Sequence, residues 1–153
     1  MGESRCEGIT ESLLKLGLKS GRLKTGTPPR LRFNSININK ATIELGDKEP
    51  IPFSHKTKSF KPLNIPCYSL RTNLKTHSII EDNLSKSPMF SGEIKAVGPR
   101  YCPSIEDKIY RFKNQDSHLL YLEPEWLNSD QIYLNGFSTS LPEEVQIQSL
   151  RTI

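Results

Sequence analysis

Six prolines, at positions 28, 29, 50, 52, 62 and 66, punctuate the stretch from Gly21 to Asn73, interleaved with Asn, Ser and Lys. Each removes a backbone donor and clashes with the preceding helical turn, so no long helix can run through this region. It is left to loops and short strands. Alternation in Ser35-Ile36-Asn37-Ile38-Asn39 and in Thr42-Ile43-Glu44-Leu45 predicts two half-buried strands, with a turn at Gly46-Asp47.

Helix signals flank this region. Thr10 can cap a helix over 11–16, with Ile9 and Leu14 as a hydrophobic staple and Gly17 just past its end. Thr76 can cap a second helix, in which Ile80 and Leu84 share a face and which Ser87-Pro88 ends. A third is the best marked: Pro103 at its start, Ser104 three residues before Asp107, a stripe of Ile105, Ile109 and Phe112, and an i,i+4 pair of Asp107 with Arg111. Strands are expected over His118–Leu122 and Ile132–Leu134, with a turn at Asn135-Gly136. Ser140 and Glu143 then form a capping box for a last helix, with Leu141 and Val145 on one face. Helices and short strands in this mixture read as α/β, with α+β character in the proline-rich part.

A chain of 153 residues and mean hydropathy −0.51 allows one ordinary domain or pieces of two. Its apolar runs fall far short of the roughly 20 residues a membrane span needs. The opening Met1-Gly2-Glu3-Ser4-Arg5-Cys6 has no apolar signal core, and Cys6 stands where myristoylation needs Ser or Thr, so a cytoplasmic address is expected. Cys6, Cys67 and Cys102 are odd in number and far apart, and His55, His77 and His118 lack ligand spacing. Neither a metal site nor a disulfide framework is expected, and Cys67 reads as core. Charge is uneven: residues 1 to 75 carry 14 basic and 6 acidic side chains, residues 76 to 153 carry 7 and 11. The first half suits an anion, either phosphate or an acidic neighbouring domain.

Three segments could carry chemistry. Gly21-Arg22-Leu23-Lys24-Thr25-Gly26-Thr27-Pro28-Pro29-Arg30 has P-loop glycine spacing, but Thr27 replaces the required Lys and two prolines lack donors. Its cations, with Arg32, could grip a polyphosphate or RNA backbone or simply be solvated. In Gly98-Pro99-Arg100-Tyr101-Cys102-Pro103-Ser104, Cys102 precedes a helix start, where free N–H groups and Arg100 favour a thiolate; inert packing is the other reading. The hydroxyls of Gly136-Phe137-Ser138-Thr139-Ser140 could bind a phosphate or cap the last helix. GxGxxG and GxSxG are absent.

Read in order, GRLKTGTPPRL at 21 to 31, PCY at 66 to 68, TNLKTHSII at 72 to 80, SPMFSG at 87 to 92, GPRYCPSIEDKI at 98 to 109 and NGFSTSLPEEVQ at 135 to 146 closely resemble the MnmG (GidA) family of tRNA-modifying flavoproteins. The resemblance covers essentially the whole chain. It implies a central fragment of a two-dinucleotide-fold FAD/NAD(P)-binding flavoprotein. Residues 1–25 would be a piece of the FAD-binding domain, 26–107 an inserted NADH-associated domain, and 108–153 a return into the FAD-binding domain.

The implied reaction adds a carboxymethylaminomethyl or aminomethyl group to carbon 5 of the wobble uridine in tRNA. It uses FAD, NADH and methylenetetrahydrofolate, with glycine or ammonium as the amine and an MnmE-type GTPase as partner; the complete protein would be a homodimer. The resemblance makes Cys102 the catalytic thiol. It assigns cofactor binding to Gly98, Pro99, Arg100, Tyr101, Cys102, Pro103, Ser104, Ile105, Glu106, Asp107, Lys108, Ile109, Tyr110, Arg111 and Phe112. The fragment alone is expected to be inactive and to bind FAD poorly, since the pyrophosphate turn would lie upstream. Two positions depart from the family pattern: Trp126 stands where EPEG has glycine, and Cys6 where a small hydroxyl residue is common. A noncatalytic basic module for RNA or nucleotide, and a severed piece without a stable fold, are the alternatives.

Overall fold

The computed structural model describes residues 7–92, 96–101 and 103–153. Its centre is one antiparallel sheet of five strands in the order β1-β5-β4-β3-β2: β1 Arg30–Arg32, β2 Thr42–Glu44, β3 Cys67–Arg71, β4 Leu119–Pro124 and β5 Gln131–Asn135. The two expected strands of the second half form and pair with each other. Register puts Leu122 opposite Leu134 and Tyr68, and Pro124 opposite Ile132. Because side chains alternate along a strand, Leu120, Leu122, Ile132 and Leu134 share one face, and all are buried.

Three helices cover that face: α2 Leu74–Asp82, α3 Ile105–Arg111 and α4 Glu143–Leu150. Ile80, Ile105, Ile109 and Val145 join the four strand residues, with Phe137 and Leu141, in a single core. Each fully buried Ile or Leu contributes about 1.5–3 kcal/mol. A further helix, α1 Ile9–Lys15, buries none of its residues. No helix among the described residues is long and apolar enough to cross a membrane. The fold is the mixed α/β arrangement expected.

Several local expectations change. α1 starts two residues early, with Gly8 rather than Thr10 at its N-cap. The strand expected over Ser35–Asn39 is instead two 3-10 turns, Phe33–Ser35 and Ile38–Lys40. The Ser35 hydroxyl donates to the Arg32 carbonyl at 2.7 Å, a local bond that competes with strand pairing. Ile36 and Ile38 still reach the core. Chain 45–66 leaves β2 without the turn expected at Gly46-Asp47, with bends further on.

Asn73, not Thr76, caps α2. The Thr76 N–H donates to Asn73 Oδ1 at 3.1 Å and the Asn73 N–H to Thr76 Oγ1 at 3.3 Å, a reciprocal box read one turn out of place. α2 ends at Asp82, and Leu84 belongs to a separate 3-10 turn. The Ser104–Asp107 box of α3 forms as expected, as does the Asp107–Arg111 pair at 3.7 Å, but Phe112 is exposed. α4 has Pro142 at its N-cap and no side-chain cap. Trp126 lies exposed in the β4–β5 connection, where the left-handed position falls on Asn128 (φ 60). The turn therefore accepts the indole without backbone strain there.

Candidate functional site

Gly26 and Thr139 are 113 positions apart in the chain, yet their backbones touch. The Thr27 N–H donates to the Thr139 carbonyl at 3.0 Å and the Thr139 N–H returns the bond to Thr27 at 3.4 Å. A Cβ on Gly26 would lie 2.6 Å from the Thr139 nitrogen and 2.7 Å from its carbonyl atoms. Only glycine admits this approach. The Gly21–Arg30 segment also donates from Lys24 N–H to the Val97 carbonyl (3.1 Å) and from Lys24 Nζ to the Met89 carbonyl (2.7 Å). It thus touches two stretches far from it in sequence, one holding Met89 and Val97 and the other Thr139.

Glu106, fully buried on α3, ties the stretch before Met89 to Thr139 and Ser140. Its Oε1 accepts from the Ser140 N–H (2.9 Å), the Thr139 hydroxyl (3.0 Å) and the Ser87 hydroxyl (3.3 Å), while Ser87 and Ser140 share a hydrogen bond of 2.6 Å. Glu106 Oε2 is buried without a partner. Lys108 Nζ donates to the Gly136 carbonyl at 2.9 Å, and the Ile105 N–H to the Ser138 carbonyl at 2.7 Å. The hydroxyls of Thr139 and Ser140 therefore neither cap α4 nor stand free for a phosphate: they are tied to Glu106 and Ser87.

Cys102 lies outside the described residues. Three of the donors that the sequence offered at the start of the neighbouring helix are already engaged. The Asp107 carboxylate accepts from the Ser104 N–H (3.4 Å), the Ser104 hydroxyl accepts from the Asp107 N–H (3.1 Å), and Ile105 N–H is bound to Ser138. Of the cofactor-binding residues expected over 98–112, Ser104, Ile105, Glu106 and Ile109 are buried. Arg100, Tyr101, Tyr110, Arg111 and Phe112 face outward. The Arg100 guanidinium lies 5.2 Å from the Tyr101 ring centroid, and Tyr101 is 85% exposed. A cation beside an open flat ring is a chemistry that suits a pyridine dinucleotide.

The basic segment is less available to an anion than its charge suggests. Arg30 forms a two-point pair with Glu125 (2.9 and 3.0 Å) and lies over the Tyr133 ring, and Lys24 is held by Met89. Arg22 and Arg32 remain exposed. Among the described residues no cluster of His, Cys, Asp or Glu could hold a metal.

Two further arrangements escaped the sequence reading. Cys67 is not core. It sits half-buried on the polar face of the sheet, opposite Glu44, and burial together with Glu123 pushes its thiol pKa up. His77 and His118 stack at 5.2 Å, with Thr72 between chains of bonds: its hydroxyl contacts His77 Nε2 at 2.7 Å and accepts from the His118 N–H at 2.8 Å. His118 Nε2 is buried without a partner. Burial lowers both pKa values; for His118, the neighbouring His77, Lys108 and Arg71 lower it further, while Glu81 and Asp116 oppose the shift at His77. Neither pairing has a local sequence signal, since strand register and helix placement create both.

The fold and the site define a mixed α/β unit in which a glycine-clasped loop and one buried carboxyl tie distant motifs together, and comparison with known proteins gives its family. The family model described as glucose inhibited division protein A matches residues 1–153, and the chain belongs to that family. It is 51% identical over 152 residues to the tRNA uridine 5-carboxymethylaminomethyl modification enzyme MnmG of Thermodesulfovibrio yellowstonii, covering 99% of this chain and 24% of that protein. It is 47% identical to MnmG of Nitratiruptor sp., covering 99% of this chain and 25% of that protein. The structure of Aquifex aeolicus GidA in its form I crystal superposes with a TM-score of 0.81 at 41% identity, over 99% of this chain and 26% of that one. The chain spans about a quarter of the length of these relatives.

Proposed function

We propose that this chain is the central segment of an enzyme that, with FAD, NADH and a GTPase partner, adds a carboxymethylaminomethyl group to carbon 5 of the wobble uridine of tRNA. The observation that carries the reading is family membership over the whole chain, together with relatives named for that modification. The meeting of the Gly21–Arg30, Ser87–Gly92 and Asn135–Ser140 segments, the last two tied together by Glu106, supports it, because motifs brought together from distant positions mark a shared task or a shared wall.

Within this segment, Arg100 and Tyr101 are proposed to receive a dinucleotide, the guanidinium pairing with phosphate and the ring with a flat base; their exposure and their cation–ring contact support this. Glu106, Ser104, Ile105 and Ile109 hold the helix behind them. Reduced FAD and methylenetetrahydrofolate would supply the electrons and the one-carbon unit. Cys102 is proposed as the thiol that adds to carbon 6 of the uracil ring, making carbon 5 nucleophilic, and leaves once carbon 5 is substituted. The complete protein is proposed to be cytoplasmic and dimeric. For the division of that protein, β3 and β4 pair across residue 107, so the proposed insertion and the return into the FAD-binding domain share a sheet.

In the full-length enzyme, Cys102→Ser is expected to abolish uridine modification, read by mass spectrometry of digested tRNA, with flavin content unchanged. Retained modification would remove Cys102 from the chemistry. The chain contains no GxGxxG turn, so the purified segment is expected to show no flavin band in its visible spectrum; a stoichiometric flavin would overturn that.

A further inference from the structure

The chain between β2 and β3, residues 45–66, leaves the sheet and is exposed along most of its length. Its neck is closed by the Gly46 N–H, which donates to Asn64 Oδ1 at 2.8 Å. Further out, the Thr57 N–H donates to the Ser54 carbonyl (3.1 Å) and the Lys56 N–H to the Ser54 hydroxyl (3.3 Å), which folds a tight turn. Phe53, just before that turn, is 107% exposed, and Phe60, after it, is 43% exposed.

From Phe53 to Lys61 the sequence holds Lys56, Lys58 and Lys61, one histidine and no carboxylate; the acids Asp47 and Glu49 stay at the neck. Among the described residues none of these lysines is in an ion pair. An exposed aromatic flanked by unpaired cations is poorly suited to burial against protein, because burying the lysines costs far more than the ring returns. It suits unpaired nucleic acid, whose bases stack on rings while the phosphates take the cations.

We propose that this loop is a contact for unpaired RNA, with Phe53 and Phe60 stacking on bases and Lys56, Lys58 and Lys61 following the phosphates. The inference rests on the tRNA reading above and assigns it a surface away from the Glu106 cluster. A single-stranded site also fits a substrate whose reacting base must stand outside a duplex.

The test is fluorescence anisotropy with a labelled anticodon stem–loop and a fully paired duplex of equal length, titrated with this chain at several salt concentrations. The chain is expected to bind the stem–loop more tightly than the duplex. Phe53→Ala is expected to weaken stem–loop binding about tenfold, in line with the loss of one base stack. The Lys56→Ala, Lys58→Ala, Lys61→Ala triple variant is expected to flatten the salt dependence by about two in log–log slope, from three phosphates at about 0.7 each. Unchanged melting curves would show that both variants keep the fold.

Equal affinity for all three proteins, or no stem–loop binding by the parent chain, overturns the proposal. So does a change of sedimentation from dimer to monomer in Phe53→Ala, which would make the loop a contact between copies. The full-length enzyme separates this inference from the functional one. Unaltered RNA affinity in Phe53→Ala, with wobble uridine still modified, sinks the loop and leaves the function. Lost RNA affinity in Phe53→Ala, when the parent enzyme modifies no wobble uridine, does the reverse.

Discussion

Gly26→Ala is expected to break the clasp between the Gly21–Arg30 segment and Thr139. The added methyl would meet Thr139 backbone atoms at 2.6 and 2.7 Å, whereas carbon contacts settle near 3.5 Å, so the two strands of the clasp must part by about 0.8 Å. The bonds now at 3.0 and 3.4 Å would then lie outside hydrogen-bonding range. Losing two costs about 2 kcal/mol, and the residual overpacking adds roughly 1 kcal/mol or more. For a domain of this size a loss of about 3 kcal/mol lowers Tm by roughly 6–12 °C. Circular dichroism melting measures this directly. Gly21→Ala is the control, because nothing lies within 4 Å of its Cβ position; it should leave Tm unchanged or slightly raised through reduced unfolded-state freedom. A Gly26→Ala protein that melts with the parent would refute the close approach.

Glu106→Ala should cost about 2–4 kcal/mol in urea unfolding, since the Ser87, Thr139 and Ser140 donors lose a buried acceptor; the isosteric Glu106→Gln keeps one acceptor and should cost clearly less, and equal losses would deny the network its role. Stability should fall on acidification because of the stacked histidines. Both folded-state pKa values lie below the ordinary 6.5, so the unfolded chain takes up protons first: the contribution is complete above about pH 6.5 and declines below it, toward the folded values. Urea midpoints at pH 7.5 and 5.5 for the parent and His118→Gln test this, with a smaller drop expected in the variant. Asn128→Val should destabilise by about 1–2 kcal/mol, because a β-branched residue must take the left-handed position; Asn128→Gly should not, and melting of the two side by side decides it.

Local signals in the sequence determined much of this protein. The Ser104–Asp107 box, the Leu119–Pro124 and Gln131–Asn135 strands and the buried pair Leu141 and Val145 each follow from neighbours a few residues apart, and all are present. Family membership was legible for the same reason, since its motifs are short continuous runs. Where two local solutions compete, proximity misled: Thr76 and Ser140 both carry capping side chains, but Asn73 captured the first helix and Ser87 claimed the second hydroxyl. Only the tertiary structure decided that Gly26 meets Thr139, that Glu106 ties Ser87 to Thr139 and Ser140, that His77 stacks on His118 and that Cys67 faces the polar side. Those contacts depend on strand register and on which helix covers which face, quantities set by the packing of the whole core, which no window of a few residues encodes.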